Sequence, residues 1–338
     1  MLSARQSHFS KKYTKDIYSD LIAVIDIGTN TIRFLVGYMK RGNVVRITTD
    51  RSVTRLGKDL QKTGTLNKEN IKKSIRYIIK LKKLCEEYGV QKIIAVGTSA
   101  LREANNSEEF LFDVKRNTGI DIEIISGQKE AELTLKGIIS SLPDFNNILP
   151  LLLVDIGGGS TEWILYNAKY KMQNNTESRN INPSLNMGSV PIGAVKLSES
   201  FIKHDPPTPN ELMTIKKFLL EKFSNLSLLI SCPLLNLIAT GGTATTIAAI
   251  DMNMNKYDGD IIHLHRISIH TINAIYKRLI ALHHEERGRI KGLETERADI
   301  IIPGTLILLI FMEVLNIKEV IVSDYGLLEG AIINYHVL

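Results

Sequence analysis

The sequence predicts an α/β protein made of two similar lobes that face each other across a cleft. The first observation is a repeated signature. "VIDIGTNTIRFLV" (24–36) and "VDIGGGSTEW" (154–163) each run a buried β strand into an acid, a glycine turn and a second strand. The second is what surrounds them: a further strand, a helix, a strand and a helix follow each hairpin, so the pattern occurs twice. The third is size. At 338 residues, with 44% hydrophobic and 23% charged residues, the chain has material for two cores.

Taken in order, 21–27 is a β-branched strand, 28–31 a turn, 32–37 a second strand and 44–56 a third. The segment 67–90 reads as a helix, with Ile71, Ile75, Ile78 and Leu81 on its apolar stripe, lysines outside and Gly89 at its end. A strand over 92–96, one helical stretch over 97–119 and a strand over 120–126 complete the first unit. The spacing predicts a helix over 130–140. The pattern then restarts with strands over 151–156 and 161–166, an exposed excursion over 167–184 and a strand over 185–190. A helix over 208–230 opens on Thr208 and Pro209. "ATGGTAT" (239–245) joins a strand to a helix, and "PGTLILLIFMEVL" (303–315) reads as a buried helix. A late strand over 319–324 and a helix over 326–336 finish the chain. The expected division is 1–129 plus 325–338 for the first lobe and 130–324 for the second.

Composition narrows the partners. The net charge of +6 and pI of about 9.1 fit an anionic ligand without identifying one. Cys85 and Cys232 form neither a disulfide framework nor a zinc pattern and read as core or helix-face thiols. No apolar run reaches the ~18 residues of a membrane span. The first twenty residues are polar and basic, lack the apolar segment of a secretory signal and read as a flexible tail. A cytoplasmic protein with no membrane or nucleic-acid partner is expected. Whether it pairs as a homodimer stays open.

The chemistry gathers at the glycine turns. Asp26 and Asp155 end equivalent buried strands, where an acid is costly unless paired or bound to a cation. Glycines let the backbone approach a ligand closely, and exposed amides together with the hydroxyls of Thr29, Thr31, Ser160 and Thr161 suit phosphate oxygens. No GxxxxGK[ST] occurs, and the glycines lie between strands, unlike a dinucleotide fingerprint. Gly28, Asn30, Gly157, Gly158, Gly159, Gly241, Gly242 and Thr243 complete the expected phosphate cradle, with Ser99, beside Thr98, at the following helix start and Arg102 as a bidentate phosphate fork. Arg33 and Arg55 can equally face solvent. His263, His265, His270, His283 and His284 match no ligand spacing and read as surface or capping residues. The lysine-rich 67–88 helix reads as a solvated face.

The hairpins resemble those of the actin/Hsp70/sugar-kinase superfamily, and the resemblance narrows. "AVIDIGTNTIRFLV", "VTRLGKDLQKTGTL", "AVGTSALREANNSEEFL", "IEIISGQKEAEL", "VDIGGGSTEW", "ATGGTATTIAAI", "ERADIIIPG" and "VIVSDYGLLEG" are similar, in order, to the motifs of the exopolyphosphatase / guanosine pentaphosphate phosphatase family, in its short two-domain form. The resemblance implies two actin-like (ribonuclease H-like) lobes. It also implies hydrolysis of a terminal phosphoanhydride of inorganic polyphosphate or pppGpp, with Mg²⁺ or Mn²⁺. It assigns Glu130 as general base, Asp155 and Glu162 to metal binding or water placement, and Asp26 as the first-lobe acid. Arg297 matches a family position near the cleft or holds Asp299. Leu328 departs from the pattern, because the family commonly has Arg there. A kinase of the same superfamily is the alternative. Glu132, about 200° round the helix from Glu130, is the rival carboxylate.

Overall fold

The computed structural model describes residues 20–143, 150–167, 184–229 and 236–337. The basic tail, most of the 167–184 excursion and Cys232 lie outside them. The first sheet is built from β1 (Ile22–Ile27), β2 (Thr31–Lys40), β3 (Asn43–Val53), β4 (Lys92–Gly97) and β5 (Ile122–Ile124), in the order β3-β2-β1-β4-β5. The second uses β6 (Leu151–Ile156), β7 (Thr161–Asn167), β8 (Ser184–Val190), β9 (Asn236–Thr240), β10 (His265–Ser268) and β11 (Glu319–Val322), in the order β10-β11-β9-β6-β7-β8. Each sheet is an antiparallel three-strand meander whose first strand also pairs in parallel with a later strand, β4 or β9. The sequence repeat is therefore a repeat of topology, with β10 an addition in the second lobe.

Four helices lie between the strands of the first unit: α1 (Leu60–Thr63), α2 (Lys68–Glu87), α3 (Ser99–Glu103) and α4 (Ser107–Thr118). The expected single helix after β4 is broken. Ala104 turns extended, and the Asn106 side chain both accepts from Leu66 N–H and donates to its carbonyl. A tertiary demand from the 64–66 loop thus overrides a continuous helical pattern. The 120–126 strand shrinks to three residues at the sheet edge, whereas β2 runs three residues past Gly37 through a register shift at Val36/Gly37. Ile71, Ile78, Leu81, Cys85, Phe110 and Val114 pack on Ile25, Ile27 and Phe34 to form this lobe's core.

The second lobe adds α6 (Ala194–Phe201), α7 (Pro209–Leu229), α8 (Gly241–Asp251), α9 (Gly259–Ile262), α10 (Ile269–Ile280), α11 (His284–Arg287), a 3₁₀ turn (Thr295–Arg297) and α12 (Ile301–Val314). Helix α12 is buried from Ile301 to Met312, as its all-round apolar sequence requires. Its first exposed residue, Glu313, pairs with Lys216.

Two helices change sides. Helix α5 (Gly127–Ile139) follows β5 of the first sheet, yet Ala131, Leu135 and Ile138 pack on Leu151, Leu153 and Ile164 of the second. Helix α13 (Leu327–Val337) follows β11, yet Ala331 and Ile332 pack on Ile22, Val24 and Leu35 of the first. The two helices cross where side chains are absent: a Cβ on Gly330 would stand 1.8 Å from the Leu133 carbonyl oxygen, and one on Gly137 would stand 1.9 Å from that of Gly326. Helix α5 begins three residues before the expected start, because Ser126 caps it by accepting from Lys129 N–H.

Candidate active site

The cleft between the lobes holds a cavity of about 520 Å³. Its wall carries Asp26, Gly28, Thr29, Asn30 and Thr31 of the first hairpin, Asp155 and Gly157 to Ser160 of the second, and Thr98, Ser99, Glu130, Gly241, Gly242 and Thr243. Most of the expected cradle is thus brought together. Three expected residues, Arg102, Thr161 and Glu162, do not line it.

The two turns match at atomic level. Gly28 N–H donates to the Thr31 carbonyl at 3.1 Å, and Gly157 N–H to the Ser160 carbonyl at 3.0 Å. The carbonyls of Gly157 and Gly158 accept from Ala194 and Val195 at the start of α6, and that of Thr29 accepts from Gly57. In a trans peptide the N–H points opposite to its C=O, so the amides of Gly158, Gly159 and Asn30 turn away from those donors. This is the geometry of an anion-binding turn. The matching register of the two hairpins places Thr161 where the first has Ile32. Both are fully buried, and the Thr161 hydroxyl donates to the Ile192 carbonyl at 2.6 Å. Thr161 is therefore a scaffold hydroxyl.

The glycines serve close approach. Gly241 has φ +86°, and a Cβ there would meet Asp155 Oδ1 at 2.4 Å. A Cβ on Gly242 would meet the Arg297 guanidinium at 2.0 Å, and one on Gly159 would lie between Ser99 Oγ at 2.4 Å and Thr29 Oγ1 at 2.6 Å. The turns of the two lobes therefore touch, and only bare backbone lets them.

Glu130 projects from the first turn of α5 and is 8% exposed. Arg102 Nη1 bridges Glu130 Oε2 and the Ile125 carbonyl, each at 2.8 Å. The expected phosphate fork is thus engaged with the carboxylate. Burial, then the negative charge of Glu162, push Glu130 well above the usual carboxylate range, while Arg102 opposes them. Glu162 is 1% exposed and accepts from Ser189 Oγ at 2.7 Å. Burial and Asp155 push it up to about 7. Glu132 is part-exposed and faces Lys129, away from the cavity.

The acids at the strand ends differ. Asp26 is held across its hairpin by Arg33 at 2.7 Å, through Oδ2, and its Oδ1 is buried without a hydrogen-bond partner. In the second hairpin the residue opposite Asp155 is Glu162, another acid. Asp155 stays buried with a raised pKa, first from burial. An orphaned carboxylate oxygen and a buried acid facing one cavity fit a divalent cation. Among the described residues no three His, Cys, Asp or Glu side chains cluster as a metal cage, so such an ion would complete its shell with water and phosphate, as Mg²⁺ does.

Other contacts were not visible in the motifs. Ser99 Oγ donates to Glu103, which pairs with Lys196 of the other lobe at 2.8 Å. Lys196 is 8% exposed. A lone lysine inside the apolar run "IGAVKL" was its signal in the sequence. Arg55, part-exposed, binds Asp299 of the other lobe at 2.9 Å, and Arg297 bonds Glu294 and Thr31 instead of Asp299. Arg46 reaches Asp324 and Glu329 beside the apolar wall at Leu328. His283 begins α11 and His284 N–H donates to Asp205, while His265 pairs with Asp251.

The pattern of one protein family, described as the Ppx/GppA phosphatase family, matches residues 36–336. The chain belongs to the Ppx/GppA phosphatase family. It is 33% identical over 330 residues to the bifunctional 3-dehydroquinate synthase/phosphatase of Fusobacterium nucleatum, covering 93% of this chain but 46% of that protein, so it spans about half the length of that relative. It is 27% identical to exopolyphosphatase 2 of Mycobacterium tuberculosis, with 91% of this chain and 96% of the relative covered. The crystal structure of the Aquifex aeolicus Ppx/GppA family member superimposes with a TM-score of 0.74 at 32% identity, over 94% of this chain and 98% of that one. The two-lobe, actin-like architecture is shared with this Ppx/GppA structure. No helix among the described residues is long and apolar enough to cross a membrane.

Proposed function

We infer that the protein hydrolyses the terminal phosphoanhydride of inorganic polyphosphate and releases orthophosphate, with Glu130 as general base. The observation that carries this reading is the placement of Glu130: a buried carboxylate of raised pKa in the wall of the cavity that the glycine turns, hydroxyls and strand-end acids of both lobes share. A carboxylate whose pKa is raised above the ordinary carboxylate range is a stronger base toward water. Arg102 fixes the carboxylate by a 2.8 Å bond and favours its ionised form. The name of the mycobacterial relative supports polyphosphate as the substrate class.

In this reading the terminal phosphoryl group sits between the two turns. The Asn30, Gly158 and Gly159 amides and the Thr29 and Ser160 hydroxyls hold its oxygens, and the rest of the chain runs along the cavity. Glu130 takes a proton from water as the oxygen attacks phosphorus, and the shortened chain leaves with the bridging oxygen. Touching turns exclude other water. Asp155 and Asp26 would hold a Mg²⁺ or Mn²⁺ ion, which supplies neutralisation of phosphate charge. Glu162 tunes Glu130 through its charge.

The test is orthophosphate release from long-chain polyphosphate, pppGpp and ATP in the presence of Mg²⁺. Release from polyphosphate at the highest kcat/KM is expected, with loss in excess EDTA. A preference for pppGpp would redirect the substrate assignment, full activity in EDTA would remove the metal, and phosphate transfer from ATP to an acceptor would favour a kinase.

A further inference from the structure

Beyond the turns, one carboxylate in the cavity wall holds two arginines from different lobes. Glu294 Oε1 binds Arg51 Nη2 at 2.6 Å, and Oε2 binds Arg297 Nε at 2.9 Å. Arg51 comes from β3 of the first lobe, and its guanidinium carbon sits over the Tyr257 ring, 3.5 Å from the centroid. The Tyr257 hydroxyl in turn bonds Asp324. Arg297 comes from the second lobe, is 7% exposed, and reaches Thr31 Oγ1 of the first turn at 3.2 Å. Arg51, Arg297, Glu294 and Tyr257 line the same cavity as Asp26 and Asp155.

Two guanidiniums this close repel each other, and burial with the charge of Arg51 holds Arg297 below its ordinary range. Holding them together requires an anion. Glu294 supplies it, but its side chain is 33% exposed and can turn out to water. The planar arginine fork accepts phosphate as readily as carboxylate. Exchanging Glu294 for a singly charged internal phosphate leaves the local charge balance unchanged.

We propose that Arg51 and Arg297 form a second anion subsite, for a non-terminal phosphate of the substrate chain, and that Glu294 is an internal anion which the chain displaces on entry. This rests on the polyphosphate reading above and deepens it. A phosphomonoester has no second phosphate for this subsite, so the pair selects chains. The arginine stacked on Tyr257 is preorganised, and Thr31 links the subsite to the first phosphate turn.

The test is calorimetric binding of long-chain inorganic polyphosphate to the wild type, Glu294→Gln and Arg51→Gln, with orthophosphate release measured alongside and thermal melts to establish folding. Removing the competing anion should tighten binding by about fivefold or more in Glu294→Gln, and losing one fork should weaken it by a similar factor in Arg51→Gln. Affinity should also depend less steeply on salt in Arg51→Gln. If Glu294→Gln leaves its two arginines unneutralised and does not fold, Arg51→Gln, which keeps Glu294 on Arg297, decides the matter. Folded variants that bind as the wild type does, or weaker binding in Glu294→Gln, would overturn the subsite while hydrolysis by the wild type stands. Binding without orthophosphate release would overturn the hydrolytic reading and leave the subsite to be judged by the same affinities. No binding of polyphosphate by the wild type would overturn both.

Discussion

Glu130 and Glu162 show how one buried negative charge sets another. If Glu130 is the base, Glu130→Gln should lower kcat by about 10²–10⁴ while changing affinity far less. It removes basicity but keeps the size of the side chain. Glu132→Gln, whose partner is Lys129 outside the cavity, should be nearly silent. A dead Glu132→Gln beside a normal Glu130→Gln would move the mechanism to the other carboxylate. The acid limb of kcat/KM should reflect the Glu130–Glu162 pair together. Glu162→Gln removes the charge that raises Glu130, so the limb should shift to lower pH. Stability offers a second readout with a definite sign. The folded-state pKa of Glu162 is raised to about 7, so its contribution to stability is complete below its unfolded value and is lost as pH rises through 7. Glu162→Gln lacks that loss. Relative to wild type it should gain stability between about pH 4.5 and 7 and hold the gain above, as read by thermal melts across pH. A difference that does not vary with pH would contradict the raised value.

The element scale is governed by the turns and the crossing helices. Gly159 lies where the second hairpin touches Thr29 and Ser99 of the first lobe. Gly159→Ala would insert a methyl group between two hydroxyls and push the turns apart. A displacement of this kind near the reacting group costs on the order of 10² in kcat/KM. Because the strain falls on an interlobe contact, outside either hydrophobic core, the melting temperature should change little. Normal turnover in Gly159→Ala would show that the turns need not touch. The strands, the α2 stripe and the buried α12 were legible because each follows a hydrophobic period or run that local geometry alone decides. The split at Ala104 was not, because its cause is the bond between Asn106 and Leu66 in a different loop. The inward turn of Thr161 was legible only by setting the two motifs in register, where Thr161 falls on the buried Ile32.

At the scale of the molecule, the lobes are joined by two helices that each pack on the opposite sheet and by charged pairs across the cleft. These include Arg55–Asp299, Lys196–Glu103 and Arg51–Glu294. Such pairs make the closed arrangement sensitive to salt. Small-angle scattering should show a larger radius of gyration at high ionic strength and a smaller one when polyphosphate binds the Glu130→Gln variant. Identical radii in all three conditions would count against lobe motion. By itself the sequence determined the twofold α/β plan, the two strand-end acids and the glycine turns, because strand periodicity and the order of motifs are properties of the chain read locally. Only the tertiary structure decided which acid is neutralised. Arg33 stands opposite Asp26, whereas Glu162 stands opposite Asp155, and the consequence depends on burial and on Arg102 reaching Glu130 from a distant helix. Pairings such as Arg51 with Glu294 and Lys196 with Glu103 join residues far apart in the chain, and no local spacing encodes them. They exist because folding brings the edges of the two lobes together across the cleft.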